Sequence, residues 1–396
     1  MNTYLSYDYE IIILLLALMV AFTFISCDEP EAPHKHDFVS KFDTENHWLE
    51  CSCKEKKDVA KHDLYTAEIK EDKIIIKCRG CEYTTEDAIA KYVVVNEEAD
   101  LQKAISDNTD KIVILNKDLA LKDRVVLPAY KTTTITLDLN GHSLSLAPEL
   151  VKPDTSSRGL ICVYGTDSKL VIDDTSKERT GIVDVVTGNE ITEEGKVPYI
   201  ASAIVVWADN DKGVSLVING GTIKGLDYAI TGNGTCIWEN ASSIEINGGR
   251  FEATAGTTIY NPQNGSLLVN GGAFVGEDSA IEIRAGNLKI TNGTFTAKAT
   301  EYKCGKNGNG TSISGAAIGV SQHTTKLPIN VAILGGEFVG QKGIVKENPQ
   351  NNDAVDFAKV TVAVKGGKFS TNPGELVATG FKAVELSGAW VVSKAE

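Results

Sequence analysis

Proline is scarce in this chain, ten residues in 396, while glycine is abundant at 36. That balance argues for many tight corners between strands and against long flexible linkers. No block of lysine or arginine occurs, and the formal net charge is −14, which argues against an electrostatic grip on nucleic acid or anionic lipid. Gly-x-Ser-x-Gly, His-Glu-x-x-His and a phosphate-cradling glycine loop are all missing, so the commonest hydrolase and nucleotide signatures give no lead. Hydrophobic residues still make up 42% of the chain and charged residues 23%. That is enough apolar material for a sizeable core, and the length suggests two or more folding units.

The first 26 residues read as a leader. The apolar run Ile11 to Ile25 is too short to span a bilayer and matches a signal-peptide core. Phe24-Ile25-Ser26-Cys27 resembles a lipobox, which implies that Cys27 is acylated and becomes the mature N-terminus. The acidic tether over 27–33, with Asp28, Glu29 and Glu31, resembles the tag that sends lipoproteins of Bacteroides-like bacteria to the outer face of the outer membrane. The stretch before the core carries no Lys or Arg. The alternative is a plain secretory signal in which Cys27 is incidental.

Residues 34–93 form a small Cys/His-rich segment. It holds Cys51, Cys53, Cys78 and Cys81 together with His34, His36, His47 and His62. Two close cysteine pairs about 25 residues apart offer four thiolates to one tetrahedral zinc, with His47 or His62 as alternate ligands. So short a segment buries little core, and structural zinc supplying roughly 10–16 kcal/mol decides whether it folds. A pair of disulfides is the alternative staple, since an exported chain meets oxidising conditions. Either way the role is scaffolding, because a four-ligand shell leaves no position for substrate. The pattern His-x-His, His-Trp-x-x-Cys-x-Cys, His, Cys-x-x-Cys resembles a zinc-ribbon-like module that recurs in surface proteins of gut bacteria. Lys54 and Glu82 stand where that module has glycine.

The rest of the chain, 96–396, repeats itself. Leu216-Val-Ile-Asn-Gly-Gly-Thr-Ile, Ile244-Glu-Ile-Asn-Gly-Gly-Arg-Phe and Leu267-Leu-Val-Asn-Gly-Gly-Ala-Phe share one pattern, and copies recur from Leu288, Val331 and Val362. Alternating apolar residues put one strand face inward. The glycine pair turns a corner, where Asn219, Asn247 and Asn270 are expected to tolerate positive φ next best. Ile223, Phe251, Phe274, Phe295, Phe338 and Phe369 recur at one position and predict a stacked ladder. Ile204, Ile230, Ile259, Ile281, Ile318 and Ile344 form a second column. A period near two dozen residues with no helical stretch fits a parallel β-helix better than a propeller or a leucine-rich solenoid. At that period some twelve or thirteen turns are expected. Leu101, Ala104 and Ile105 share a helical face, so a short helix over 99–105 is expected to cap the first turn, and Phe381 to Val392 to close the last. This stretch resembles the pectate-lyase-like superfamily, which implies an all-β, right-handed, single-stranded parallel β-helix. It is still more similar to β-helix surface proteins of gut bacteria that end in a Gly-Gly-x-Phe-Ser … Trp-x-Val tail, here Gly366 to Val391.

Function is less legible, because this architecture hosts lyases, hydrolases and adhesins alike. Outward positions of the second column (Val205, Thr231, Tyr260, Glu282, Gly319, Val345) carry one carboxylate in six, so no catalytic residues are assigned. Asp173-Asp174 is the best paired-carboxylate candidate, its alternative being a solvated turn. Cys162, Cys236 and Cys304 are expected to be buried thiols. Trp207 and Tyr260, facing outward near Glu282 and Arg284, would suit stacking on sugar rings, or would pack under inserted loops. The leading expectation is a lipid-anchored surface protein whose non-catalytic β-helix binds a polysaccharide or host glycan. The rivals are a polysaccharide lyase or glycoside hydrolase with a loop-borne site, and a passive envelope spacer.

Overall fold

A computed structural model describes residues 35–395, apart from 108, 128–133, 191–192 and 210–211. The leader, the lipobox, Cys27 and its acidic tether lie outside the described residues. Contacts divide the chain into two units. One runs to Asp63 and includes Gly80–Tyr83; the other comprises Leu64–Arg79 and everything from Thr84 onward. The Cys/His-rich segment is therefore shared between them. Among the described residues, no helix is long and apolar enough to cross a membrane.

The larger unit is built by stacking short strands. Val214–Ile218, Thr222–Gly225 and Tyr228–Gly232 lie in three different sheets, and the next strand, Ser242–Ile246, returns to pair in parallel with the first. Repetition of that circuit gives sheets of ten, eleven and eight strands among the described residues, with neighbours in chain order except at the C-terminal end of the eleven-stranded sheet. All pairs are parallel except at the C-terminal end, where Ala389–Lys394 runs antiparallel to Gly367–Phe369 and to Phe381–Leu386. The protein is thus mostly β with long parallel sheets, compatible with a β-helix-like fold. Ten strands in the longest wholly parallel sheet is fewer than the twelve or thirteen turns expected from the short period. The difference is chain spent on insertions, such as the hairpin strands Pro153–Asp154 with Val197–Pro198 and Lys303–Cys304 with Ile313–Ser314.

The register matches the repeat residue by residue. Ile223 pairs with Phe251, Phe251 with Phe274, Phe274 with Phe295, Phe295 with Phe338 and Phe338 with Phe369. The phenylalanines are fully buried and stack 4.6–4.9 Å apart, within 12° of parallel. That spacing is the interstrand distance, so the backbone sets the ring separation and the rings fill it. The isoleucine column holds as well, from Ile204 through Ile344.

Corners differ from expectation in one respect. Gly249 takes φ 100°, and a Cβ there would lie 2.8 Å from the Gly221 carbonyl oxygen, so glycine is required for both conformation and room. Asn219, Asn247 and Asn270 do not adopt positive φ, although Asn140 does, at 46°. Their amides form a ladder instead: Asn247 Nδ2 donates to Asn219 Oδ1 at 3.0 Å, and Asn270 Nδ2 to Asn247 Oδ1 at 2.8 Å. Asparagine recurs because each side chain donates to the previous turn and accepts from the next.

The helix Glu98–Ser106 buries Leu101, Ala104 and Ile105. A reciprocal capping box between Glu97 and Asp100 starts it, and it packs against the first strands of all three sheets. A three-stranded antiparallel sheet, Leu64–Ile69, Lys73–Cys78 and Thr84–Ala88, belongs to this unit. Thr66 N donates to Thr175 O at 2.8 Å and Arg79 Nε to Lys177 O at 2.9 Å. The smaller unit contains another antiparallel sheet, Phe38–Phe42, Asn46–Cys51 and Lys56–Lys61.

Candidate functional site

Along the eight-stranded sheet the isoleucine column points into the core, so alternate residues point out. Two insertions rise beside that outer face, around 152–158 with Val197 and around 305–314. Between them lies a groove of about 720 Å³ lined by Trp207, Tyr228, Tyr260, Asp227, Arg124, Arg158, Asn309 and Gly310 among others. A neighbouring hollow of about 600 Å³ shares Gly232, Asn233, Tyr260 and Asn309 with it and ends at Ile237, Thr324 and His323. Tyr228 and Tyr260 stack with ring centroids 5.3 Å apart, and Trp207 meets Tyr164 edge-on at 5.8 Å. Trp207 is 38% exposed, so its ring offers an apolar face to the groove.

Burial pushes the Asp227 carboxyl up from its ordinary value, and it does the same to the hydroxyls of Tyr228 and Tyr260. Burial moves His323 the other way, down. The largest cause of each shift is the same: a half-closed, weakly solvated groove disfavours the charged form of whatever lines it.

Four residues were candidates for ligand contact from the sequence. Trp207 and Tyr260 do line the groove. Glu282 and Arg284 are fully buried, and Tyr260 is only 6% exposed, so the expectation of an open aromatic strip beside an accessible ion pair is corrected. The insertion covers it. Glu282 accepts from Ser312 N at 2.8 Å, from Ile313 N at 3.3 Å and from Ser321 Oγ at 2.6 Å. Arg284 Nη1 donates to Gly310 O and, at 3.3 Å, to Tyr260 Oη, while Nε stands 3.8 Å from Glu282 Oε1. Burial pushes the Glu282 carboxyl up, against these donors and Arg284, which pull it down. The pair pins the wall that carries Asn309 and Gly310. Tyr228, Asp227 and the two arginines were not legible from sequence because they lie outside the outward column that contains Tyr260. Tyr228 pairs with Ser202, three places before the column that contains Tyr260.

The Asp173-Asp174 pair is not a solvated turn. Asp174 is 3% exposed and accepts from the backbone N–H of Gly141 at 2.8 Å, Gly181 at 2.6 Å and Ser176 at 3.2 Å. Its carboxylate is fully used in shaping a corner. Cys162 and Cys236 are buried as expected, whereas Cys304 is exposed at the start of its hairpin.

The four cysteines of the Cys/His segment fall into two groups rather than one. Cys78 and Cys81 gather with His47 and His62, and Cys51 and Cys53 with His36; within each group the potential ligand atoms lie within 4.8 Å of one another. These Cys/His groups could hold a metal ion. Cys81 Sγ is 3.5 Å from His62 Nδ1, and the other nitrogen of that ring lies 3.0 Å from Asp43 O. A carbonyl on the far nitrogen fixes the tautomer that leaves Nδ1 available to a metal. Gly80 lies between the cysteines because a Cβ there would come within 2.9 Å of His47 Nε2. His36 was not among the ligands expected from sequence, although the His-x-His pattern that contains it was the available signal.

No family model, no curated protein and no solved structure matches the chain.

Proposed function

We propose that this is a lipid-anchored cell-surface protein whose coil binds a glycan without cleaving it. In this reading Cys27 carries the acyl tether in the outer membrane and the chain winds as a right-handed parallel β-helix. The helix Glu98–Ser106 caps its first turn, and the exposed face serves as a platform for a polysaccharide or host glycan. The observation that carries it is the groove over the eight-stranded sheet, where Trp207, Tyr228 and Tyr260 combine apolar ring surface with amide and guanidinium donors. Sugar rings are recognised by that mixture of stacking and hydrogen bonding. Glycoside hydrolysis works with two facing carboxyl groups, and Asp227 is the one acidic side chain among the described residues lining the groove.

Zinc is the ion we assign to His47, His62, Cys78 and Cys81. Two thiolates and two imidazoles complete a tetrahedral shell, so this ion serves folding.

A glycan array probed with the purified chain, followed by titration of the best hits, tests the binding. Trp207→Ala is expected to weaken the interaction about tenfold, the worth of one stacked ring, with an unchanged circular dichroism spectrum. Failure of the wild-type chain to retain any glycan overturns the reading. Release of unsaturated or reducing oligosaccharides during incubation replaces it with a lyase or a hydrolase.

A further inference from the structure

We propose that His36, Cys51 and Cys53 form a second metal site, for a thiophilic divalent cation such as zinc, independent of the first and open at its fourth coordination position. The site lies wholly within the smaller unit. Cys51 and Cys53 flank a tight turn in which Lys54 N donates to Cys51 O at 2.8 Å and Cys51 N to Glu55 O at 3.0 Å. Lys54 there takes φ 73°. The turn sends both sulfurs to the same side, and His36 meets them from the end of the neighbouring strand, where Phe38 pairs with Cys51.

Cys53 Sγ lies 3.5 Å from His36 Nδ1. That separation is ordinary for a hydrogen bond to sulfur. It also fits two ligands of one ion, because bonds of about 2.3 Å to sulfur and about 2.0 Å to nitrogen at a tetrahedral angle put the donors about 3.5 Å apart. The same sulfur-to-nitrogen distance recurs in the first group, between Cys81 and His62.

Two thiolates and an imidazole select zinc-like ions over magnesium or calcium. The two sites differ in closure. His47, His62, Cys78 and Cys81 supply four donors, whereas this group supplies three, and its Cys53 and His36 are exposed. Glu55 Oε2 stands 3.1 Å from His36 Nδ1 and is the nearby oxygen available to the open position. An ion held by three donors, two of them exposed, exchanges faster than one enclosed by four, so this site is the labile one.

The test is a zinc count on the full chain purified under reducing conditions, with release followed against a chromophoric chelator. Two ions per chain are expected, one withdrawn at low chelator and one at high. Cys53→Ser and His36→Ala should each abolish the early-released ion and keep the late one, while Cys81→Ser should abolish the late one. With cobalt in place of zinc, thiolate-to-metal absorption should fall by about half in each cysteine variant, as expected for sites carrying two thiolates each. A single ion lost on Cys81→Ser but retained in His36→Ala overturns the second site alone. A single ion lost in His36→Ala but retained in Cys81→Ser overturns the zinc assignment at the first group instead.

Discussion

In the coil, a side chain meets its own kind one turn away: phenylalanine on phenylalanine and isoleucine on isoleucine in the core, asparagine on asparagine at the surface. In the smaller unit the strand residues are exposed or half buried, and among the described residues Cys51 alone is buried there. What that unit has instead is polar and aromatic chemistry at close range, with His62 stacked on Tyr83 at 4.1 Å and Lys56 over the Trp48 ring at 3.9 Å. Repetition lets one good contact be reused many times, so a long chain acquires a core from a short vocabulary. The smaller unit, with about thirty described residues, has nothing to repeat. Its order has to come from a few strong bonds, and metal ligation is the kind it is equipped to make.

The largest expected effect breaks that comparison at its root. Chelation under reducing conditions should unfold the smaller unit and leave the coil intact. Hydrogen exchange read by mass spectrometry would show 35–63 exchanging fully while Ile244–Ile290 stays protected. Protection of 35–63 without metal would mean that the unit holds itself together by other means. Next in size, Phe295→Ala in the middle of the ladder should cost about 3–5 kcal/mol, as for other buried phenylalanines. Denaturant midpoints would measure it. Phe369→Ala should cost less, because Phe369 stacks on a phenylalanine on one side only, its strand pairing on the other side with the antiparallel strand that holds Trp390. Equal losses at the two positions would contradict a coil stabilised by its nearest neighbours.

The two regions also differ in how much the sequence disclosed. The phenylalanine and isoleucine columns were legible because a strand alternates with period two and each turn must match the next, so burial leaves a periodic trace. The helix over 98–106 was legible for the same reason, in its own period. Asparagine was found at the right place for the wrong reason, because a side-chain ladder between turns and a backbone preference for positive φ select the same residue. The groove was not legible. Its walls are insertions that break the period, and Glu282 with Arg284, which look like a surface pair from their outward register, lie beneath the segment they pin. The cysteines of the two groups were legible as candidate ligands, but not their partition, and His36 was not among the candidates. Spacing along the chain brings Cys51 to Cys53 and Cys78 to Cys81, whereas which histidine joins which pair depends on strand pairings that no local spacing encodes.

Smaller effects sharpen the contrast. Asn247→Ala removes one donor and one acceptor from the asparagine ladder at an exposed position, and about 0.5–1.5 kcal/mol is expected. A double-mutant cycle with Asn270→Ala should return a coupling of the same order. Additive losses would make the ladder a coincidence of register rather than a source of stability.

The smallest effect concerns pH, and here the two regions should respond in opposite directions. Thiol and imidazole ligands must lose their protons to bind metal, so the smaller unit gains stability as pH rises. Asp227 in the groove behaves conversely. Burial raises its carboxyl above the ordinary value of 3.8, so the folded coil holds that proton more tightly than the unfolded chain does. Its contribution is therefore complete below about pH 3.8 and is lost as pH climbs through the raised folded value. Asp227→Asn removes the proton equilibrium and leaves the shape nearly unchanged. The stability of the wild-type coil relative to this variant should then fall between pH 3.5 and pH 7, by an amount on the order of 1 kcal/mol or less for a partly buried site. Denaturation midpoints of the two proteins at three pH values measure it, with 35–63 unfolded by chelator so that its opposite slope does not enter. A difference that stays flat, or that grows with pH, would mean that the carboxylate is solvated in the groove or paired there with a cation.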